Sequence, residues 1–177
     1  MGMSTAEWAQ YLSEDLGVGL PPPQVADLVV DRMVERYGRR LLLIPGAIEA
    51  VRRVASRWPI GLASSSPRRL IDAVLGRMGV AALFAATLST DEVGRGKPAP
   101  DVYVAAADRL RVPTSRCVAV EDSTNGLRSA LDAGLHVVAV PQPRYPPDPS
   151  VLEQAVLVLE SLSDLTVAAI ESVGTGS

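Results

Sequence analysis

The sequence predicts an α/β fold, a parallel sheet with helices on both faces, preceded by a small helical appendage. Three observations predict it. Apolar runs at 59–64, 84–89, 116–121 and 136–140 have strand length, and such short apolar runs read as strands buried on both faces. Helical stretches near 67–79, 100–110 and 123–133 separate them. Strand, helix and strand in repetition imply parallel pairing with right-handed crossovers. The first forty residues, by contrast, read as two helices.

Those two helices are expected near 5–16 and 23–38, the second carrying Val25, Leu28, Val29, Met33 and Tyr37 near helical spacing. Pro21-Pro22-Pro23 ends the connection between them and supplies proline at a helix start. Leu41-Leu42-Leu43-Ile44-Pro45-Gly46 reads as a hinge, and a helix over 47–57 follows it. The alternating strands and helices come next. Residues 141–149 form a stiff proline-rich connection. An edge strand near 155–159, a last helix near 163–171 and a frayed end from Gly174 to Ser177 complete the chain, in which no internal repeat is visible.

At 177 residues the chain is long enough for one core and an appendage, and 47% hydrophobic residues exclude a disordered chain. Seventeen basic against 20 acidic residues leave a net charge of -3, which argues against nucleic acid or a membrane surface as partner. No apolar run approaches the roughly 18 residues of a membrane span, and Met1-Gly2-Met3-Ser4 does not open a signal peptide. The expected address is cytoplasmic. Cys117 is the only cysteine, so no internal disulfide forms, and it reads as a small buried hydrophobe. His136, the only histidine, precedes Val137-Val138-Ala139-Val140 at a strand entrance, where a structural or solvent-facing role is expected.

Three polar signatures lie just beyond strand-like runs, where ligands of open parallel sheets bind. Ser64-Ser65-Ser66 follows Pro59-Ile60-Gly61-Leu62-Ala63. The Ser64 hydroxyl and the Ser65 N–H can face an anion, while Ser66-Pro67 reads as a helix cap followed by proline at the first helical position. Lys97 lies within Gly94-Arg95-Gly96-Lys97-Pro98-Ala99-Pro100-Asp101. A loop so stiffened can hold an ammonium against a phosphoryl group and a neighbouring carboxylate. Glu121-Asp122 ends the run Cys117-Val118-Ala119-Val120. Adjacent carboxylates repel unless a lysine or a cation compensates, and Mg²⁺ accepts one or two of them while keeping water and phosphate oxygens. Helix capping by Asp122 is the structural alternative. Ser123-Thr124-Asn125-Gly126 opens the next helix, with Gly126 allowing close approach.

Together these stretches resemble the haloacid dehalogenase (HAD) superfamily, in its capped β-phosphoglucomutase-like and phosphoglycolate-phosphatase-like subgroup. The matching segments are Ile60-Gly61-Leu62-Ala63-Ser64-Ser65-Ser66, Gly96-Lys97-Pro98-Ala99-Pro100-Asp101-Val102-Tyr103, and Val120-Glu121-Asp122-Ser123-Thr124-Asn125-Gly126-Leu127 with Ala133-Gly134. Each is weak alone; their order and spacing make the set specific. The resemblance implies a HAD-like Rossmannoid core over 43–177 and a partial helical cap over 1–42. It implies that Ser64 holds the transferring phosphoryl, that Lys97 neutralises it, and that Glu121 and Asp122 anchor Mg²⁺. It also implies a nucleophilic aspartate in an Asp-x-Asp after a first strand that lies centrally, between the strands ending at Ser64 and Asp122. No Asp-x-Asp occurs in the sequence; Asp15 and Asp31 lack the preceding strand or the second aspartate. The first strand, the nucleophile and part of the cap are therefore expected to be missing, as in an N-terminally truncated form.

Three outcomes follow for the sheet: a truncated chain, a gap filled by another chain's segment through self-association, or direct pairing of the flanking strands. The parent protein is expected to be a Mg²⁺-dependent phosphohydrolase of small phosphorylated metabolites acting through an aspartyl-phosphate, with this chain itself inactive. One alternative is a non-catalytic remnant that binds phosphate, metal or a partner chain. Another is a β-phosphoglucomutase-type phosphosugar mutase. A receiver or nucleotide-binding domain would need an acidic pair or glycine-rich loop after its first strand, and neither is present.

Overall fold

The structure, a computed structural model, describes residues 4–174; Met1 to Met3 and the expected frayed residues Thr175 to Ser177 lie outside them. The chain begins with α1 (Thr5–Gln10), which runs on through a π-helical turn over Tyr11–Asp15, and α2 (Pro22–Arg39). Ser4 starts α1 with a capping box: its hydroxyl accepts from Glu7 N–H, and the Glu7 carboxylate accepts from Ser4 N–H at 2.7 Å. Proline occupies both the cap and the first helical position of α2, where its missing N–H costs nothing. Ala9, Val25 and Val30 are the buried residues of the two helices.

The remainder comprises α3 (Ala47–Ala55), β1 (Ile60–Ser64), α4 (Arg68–Met78), β2 (Phe84–Ser89), α5 (Asp101–Leu110), β3 (Val118–Glu121), α6 (Thr124–Asp132), β4 (His136–Ala139), α7 (Pro149–Leu152), β5 (Leu157–Val158) and α8 (Val167–Gly174). The expected alternation is present, with all pairing parallel. Gly46 turns the chain into α3 at φ 79°, where a Cβ would press on Ser163 at 3.0 Å; glycine is needed there on both counts. Two segments differ from expectation. Pro149 nucleates a one-turn helix capped by Asp148, whose side chain accepts from Ser150 N–H. The last helix starts later, at Val167, and includes Gly174.

The strands form two sheets, β1-β2 and β3-β4-β5, and no ladder joins β1 to β3 among the described residues. Direct pairing of the two flanking strands is therefore not what the chain adopts. Helices still bind the two sheets into one body. On one face, Val102, Tyr103 and Ala106 of α5 and Leu127 and Ala130 of α6 pack with Leu88, Ala119 and Val137, with Ala63 of β1 against them. On the other, α3 lies across both sheets: Ala50 and Val54 join Val118 and Val138, while Ile48 and Val51 join Leu62, Ile71 and Leu75. Cys117 is half-buried rather than part of this core, and its thiol donates to Pro113 O at 3.4 Å. His136 opens β4 and is half-buried. Among the described residues no helix is long and apolar enough to cross a membrane.

Candidate active site

Ser64 is the last residue of β1 and Glu121 the last of β3, and both strands run in the same sense as their neighbours. The two strand ends lie at one rim, because the Lys97 ammonium bonds both Ala63 O and Glu121. The loop between β2 and α5 brings Lys97 to the same place. Lys97 is only 7% exposed, and its ammonium donates to Ala63 O at 3.1 Å and to the Tyr103 hydroxyl at 3.3 Å, and forms an ion pair with Glu121 Oε1. It also stands 4.7 Å from the centre of the Tyr103 ring, a cation–π distance. One side chain therefore ties the end of β1 to the end of β3.

Glu121 is saturated. Oε1 receives the Lys97 ammonium and the Tyr103 hydroxyl; Oε2 receives Asp122 N–H at 3.2 Å and the Ser123 hydroxyl at 3.5 Å. A carboxylate has about four acceptor positions, and four donors meet this one. The side chain curls back over the start of α6. There a Cβ on Gly126 would stand 2.0 Å from Glu121 Oε2, so the close approach for which the sequence marked Gly126 is made by a carboxylate. Burial and the Glu121 carboxylate together hold the Tyr103 hydroxyl well above the ordinary phenol range, so it remains a donor at neutral pH.

Asp122 lies just past the strand, half-buried. Its burial, and then the charge of Glu121, push its carboxyl above the usual carboxylate range. It is not the cap of α6. Ser123 takes that role, accepting from Gly126 N–H at 3.2 Å, because its side chain lies one residue nearer the helix. Asp122 is bonded by no other residue's donor among the described residues, which leaves its oxygens for a cation. No group of three or more metal-ligating side chains occurs among the described residues. Mg²⁺ takes few protein carboxylates, and of Glu121 and Asp122 only Asp122 has oxygens that no other residue's donor occupies among the described residues.

The Ser64 hydroxyl accepts from Ser66 N–H at 3.1 Å, leaving its proton free for an anion. Pro67, not Ser66, stands at the cap position of α4 and gives no side-chain cap; the expected cap is displaced by one residue. Ser66 O instead receives the Ser89 hydroxyl at 2.7 Å, tying this turn to β2. Ser65 lies between, half-buried. Sequence reasoning gave Tyr103 no role. Its signal was a hydroxyl-bearing aromatic in the first turn of a helix, six residues after the lysine it meets. Ser129 was missed as well: its buried hydroxyl donates to Ala99 O at 2.6 Å and anchors the Lys97 loop to α6. A hollow of about 330 Å³ on α2, lined by Leu28, Val29, Arg32, Met33 and Arg36, contains none of these groups. A smaller one of about 210 Å³, lined by Ser123, Thr124, Tyr145 and Pro146, abuts the start of α6.

The sequence matches the haloacid dehalogenase-like hydrolases over residues 3–134. Hexitol phosphatase B of Escherichia coli (strain K12) is 33% identical over 144 residues, which are 81% of this chain and 64% of that protein. Protein CbbY of Rhodobacter capsulatus is 37% identical over 136 residues, 72% of this chain and 60% of that one. The matches thus span about three fifths of the length of these relatives. Among solved structures, CbbY from Rhodobacter sphaeroides in complex with phosphate superposes with a TM-score of 0.85 at 25% identity, over 97% of this chain and 79% of that one. The β-phosphoglucomutase of Clostridium difficile shares the fold, with a TM-score of 0.81 at 22% identity. With the family match covering most of the sequence, the chain belongs to the haloacid dehalogenase-like hydrolases.

Proposed function

We propose that the rim formed by Ser64, Lys97, Glu121 and Asp122 is the phosphate and Mg²⁺ end of a phosphohydrolase site for small phosphorylated metabolites. The observation that carries this reading is the buried Lys97 ammonium, fixed by Ala63 O, Tyr103 and Glu121 at the strand end where Ser64 offers a free hydroxyl proton. In this reading the Ser64 hydroxyl and Ser65 N–H bind phosphoryl oxygens and fix their orientation. Lys97 offsets the charge that builds on them, and being held in advance it needs no reorganisation as the reaction proceeds. Asp122, backed by Glu121, holds Mg²⁺, which when bound neutralises phosphate oxygens. Helices α1 and α2 form part of the cap that faces the substrate. The similarity to a hexitol phosphatase and to a CbbY structure holding phosphate supports the substrate class.

The resemblance implies hydrolysis through an aspartyl-phosphate on the aspartate of an Asp-x-Asp. This sequence contains no such motif, so the second reading is a chain that binds phosphate and Mg²⁺ without turnover. Purified chain with p-nitrophenyl phosphate and Mg²⁺ is expected to give negligible turnover, while phosphate binding followed by calorimetry is lost in Lys97→Ala. Robust turnover abolished by Asp122→Asn would refute the missing nucleophile. Phosphate affinity unchanged in Lys97→Ala would place the anion elsewhere.

A further inference from the structure

Helices α1 and α2 bury little between them. Ala9, Val25 and Val30 are their only buried residues, whereas helices in a bundle close their apolar faces on one another. What this arm leaves open is apolar. Of the 13 large hydrophobic residues exposed among those described, seven lie between Tyr11 and Ile44, so the open apolar surface is concentrated on the arm and the connection that follows it.

The two helices of the arm carry opposite charge where they are open. On α2, Leu28, Arg32 and Arg36 recur every fourth residue beside Val29 and Met33, so the five share one face, and they line the hollow of about 330 Å³. Both charges there are positive, and the acids of the same helix, Asp27, Asp31 and Glu35, do not line it. Helix α1 and its π-helical turn are the reverse. Glu7, Tyr11, Glu14 and Asp15 are exposed, and residues 4–20 contain no lysine or arginine. Among the described residues, Arg36, Glu14 and Asp15 enter no ion pair, and Arg32 pairs only with Glu35 of its own helix.

We propose that the hollow on α2 receives α1 of a second copy of the chain, and that by two-fold symmetry the second copy's hollow receives α1 of the first. Two helix pairs then close into one four-helix bundle. A two-fold contact needs a surface that complements itself. This arm has both halves, a cationic hollow on one helix and an acidic ridge on the other. Tyr11, 47% exposed, stands on that ridge between Glu7 and Glu14. Its ring suits apolar space beside a guanidinium, which Arg32 and Arg36 supply at the hollow. Packing α2 on α2 instead would set arginine against arginine, a repulsion that the crossed pairing avoids. This pairing is independent of the phosphohydrolase reading.

Sedimentation equilibrium of the whole chain, from micromolar to near-millimolar concentration, tests the pairing. The mass is expected to rise from 18.7 kDa to twice that value and no further. Two charge-reversed chains, Arg32→Glu/Arg36→Glu and Glu14→Lys/Asp15→Lys, are each expected to associate about 10-fold more weakly or not at all, because each sets like charge against like. Mixed in equal amounts they are expected to recover the dimer, since acid meets base again in both contacts of the mixed pair. In the unsubstituted chain, amide exchange in α1 and α2 is expected to slow as concentration rises; slowing confined to other elements would overturn the contact. A monomer at every concentration would leave the hollow to a different protein and overturn the second copy. A dimer that either reversal leaves intact would put the contact elsewhere, as at the edges of β1 and β3. Folded reversed chains whose mixture stays monomeric would overturn the crossing of α1 with α2, and growth beyond twice the chain mass would overturn the two-fold.

Discussion

Replacing Gly126 by alanine sets two effects of opposite sign against each other. Gly126 lies in the first turn of α6, and alanine for glycine in a helix is favourable by up to about 1 kcal/mol. Against this, the new methyl would stand 2.0 Å from Glu121 Oε2 and 2.2 Å from its Cδ, so the carboxylate must leave. It would abandon the Lys97 ammonium, the Tyr103 hydroxyl and the Asp122 N–H. Leaving one partner of a buried pair unmatched costs about 3–5 kcal/mol. The ion-pair loss wins, and Gly126→Ala is expected to destabilise by about 2–4 kcal/mol, or about 4–16 °C in Tm for a chain of this size. Urea and thermal unfolding followed by circular dichroism measure it. The same substitution in a Glu121→Ala background meets no carboxylate and is expected to be neutral or to stabilise by up to about 1 kcal/mol. A neutral or stabilising Gly126→Ala in the parent chain would refute the placement of Glu121 over the helix start.

Two further expectations concern the same cluster. Tyr103→Phe removes one of four donors to Glu121 while Lys97 stays in place; a loss of about 1–1.5 kcal/mol in urea unfolding is expected, and a loss above about 3 kcal/mol would mean that the phenol, not the ammonium, holds the carboxylate. Asp122 has its folded pKa raised, by burial and then by Glu121. The folded chain therefore holds that proton more tightly than the unfolded chain, and stability is full below the unfolded value near 3.9 and lost as pH rises through the folded one. Asp122→Asn is expected to melt above the parent at pH 7, with the difference closing below about pH 4; an equal difference at both pH values would show that titration is not its source.

The apolar runs that end at Ser64, Ser89, Glu121 and Val140 made the strands legible, because burial on both faces leaves little room for polar residues. Once they were read as parallel, the convergence of Ser64, Lys97 and Glu121 on one rim followed from chain direction alone. What escaped depends on contacts between distant segments. The part played by Tyr103 exists only because α5 packs beside the end of β3. Asp122 and Ser123 are adjacent and both are good caps, so only geometry could choose Ser123. The helix at Pro149 lay inside a proline-rich stretch whose composition masks a single turn. The split between β1 and β3 was expected from the resemblance, which sets a further strand between them, and not from the residues of either edge.

The two N-terminal helices meet the rest of the chain through α2 against α4, through an ion pair between Asp31 and Arg69 and through a hydrogen bond from Thr5 to Asp91 at 3.0 Å. Asp31 and Arg69 are each more than half exposed, so their attraction is weak and fades as counterions accumulate. Added salt should therefore loosen this arm without melting it, and the molecule should lengthen in solution scattering while its helix content holds.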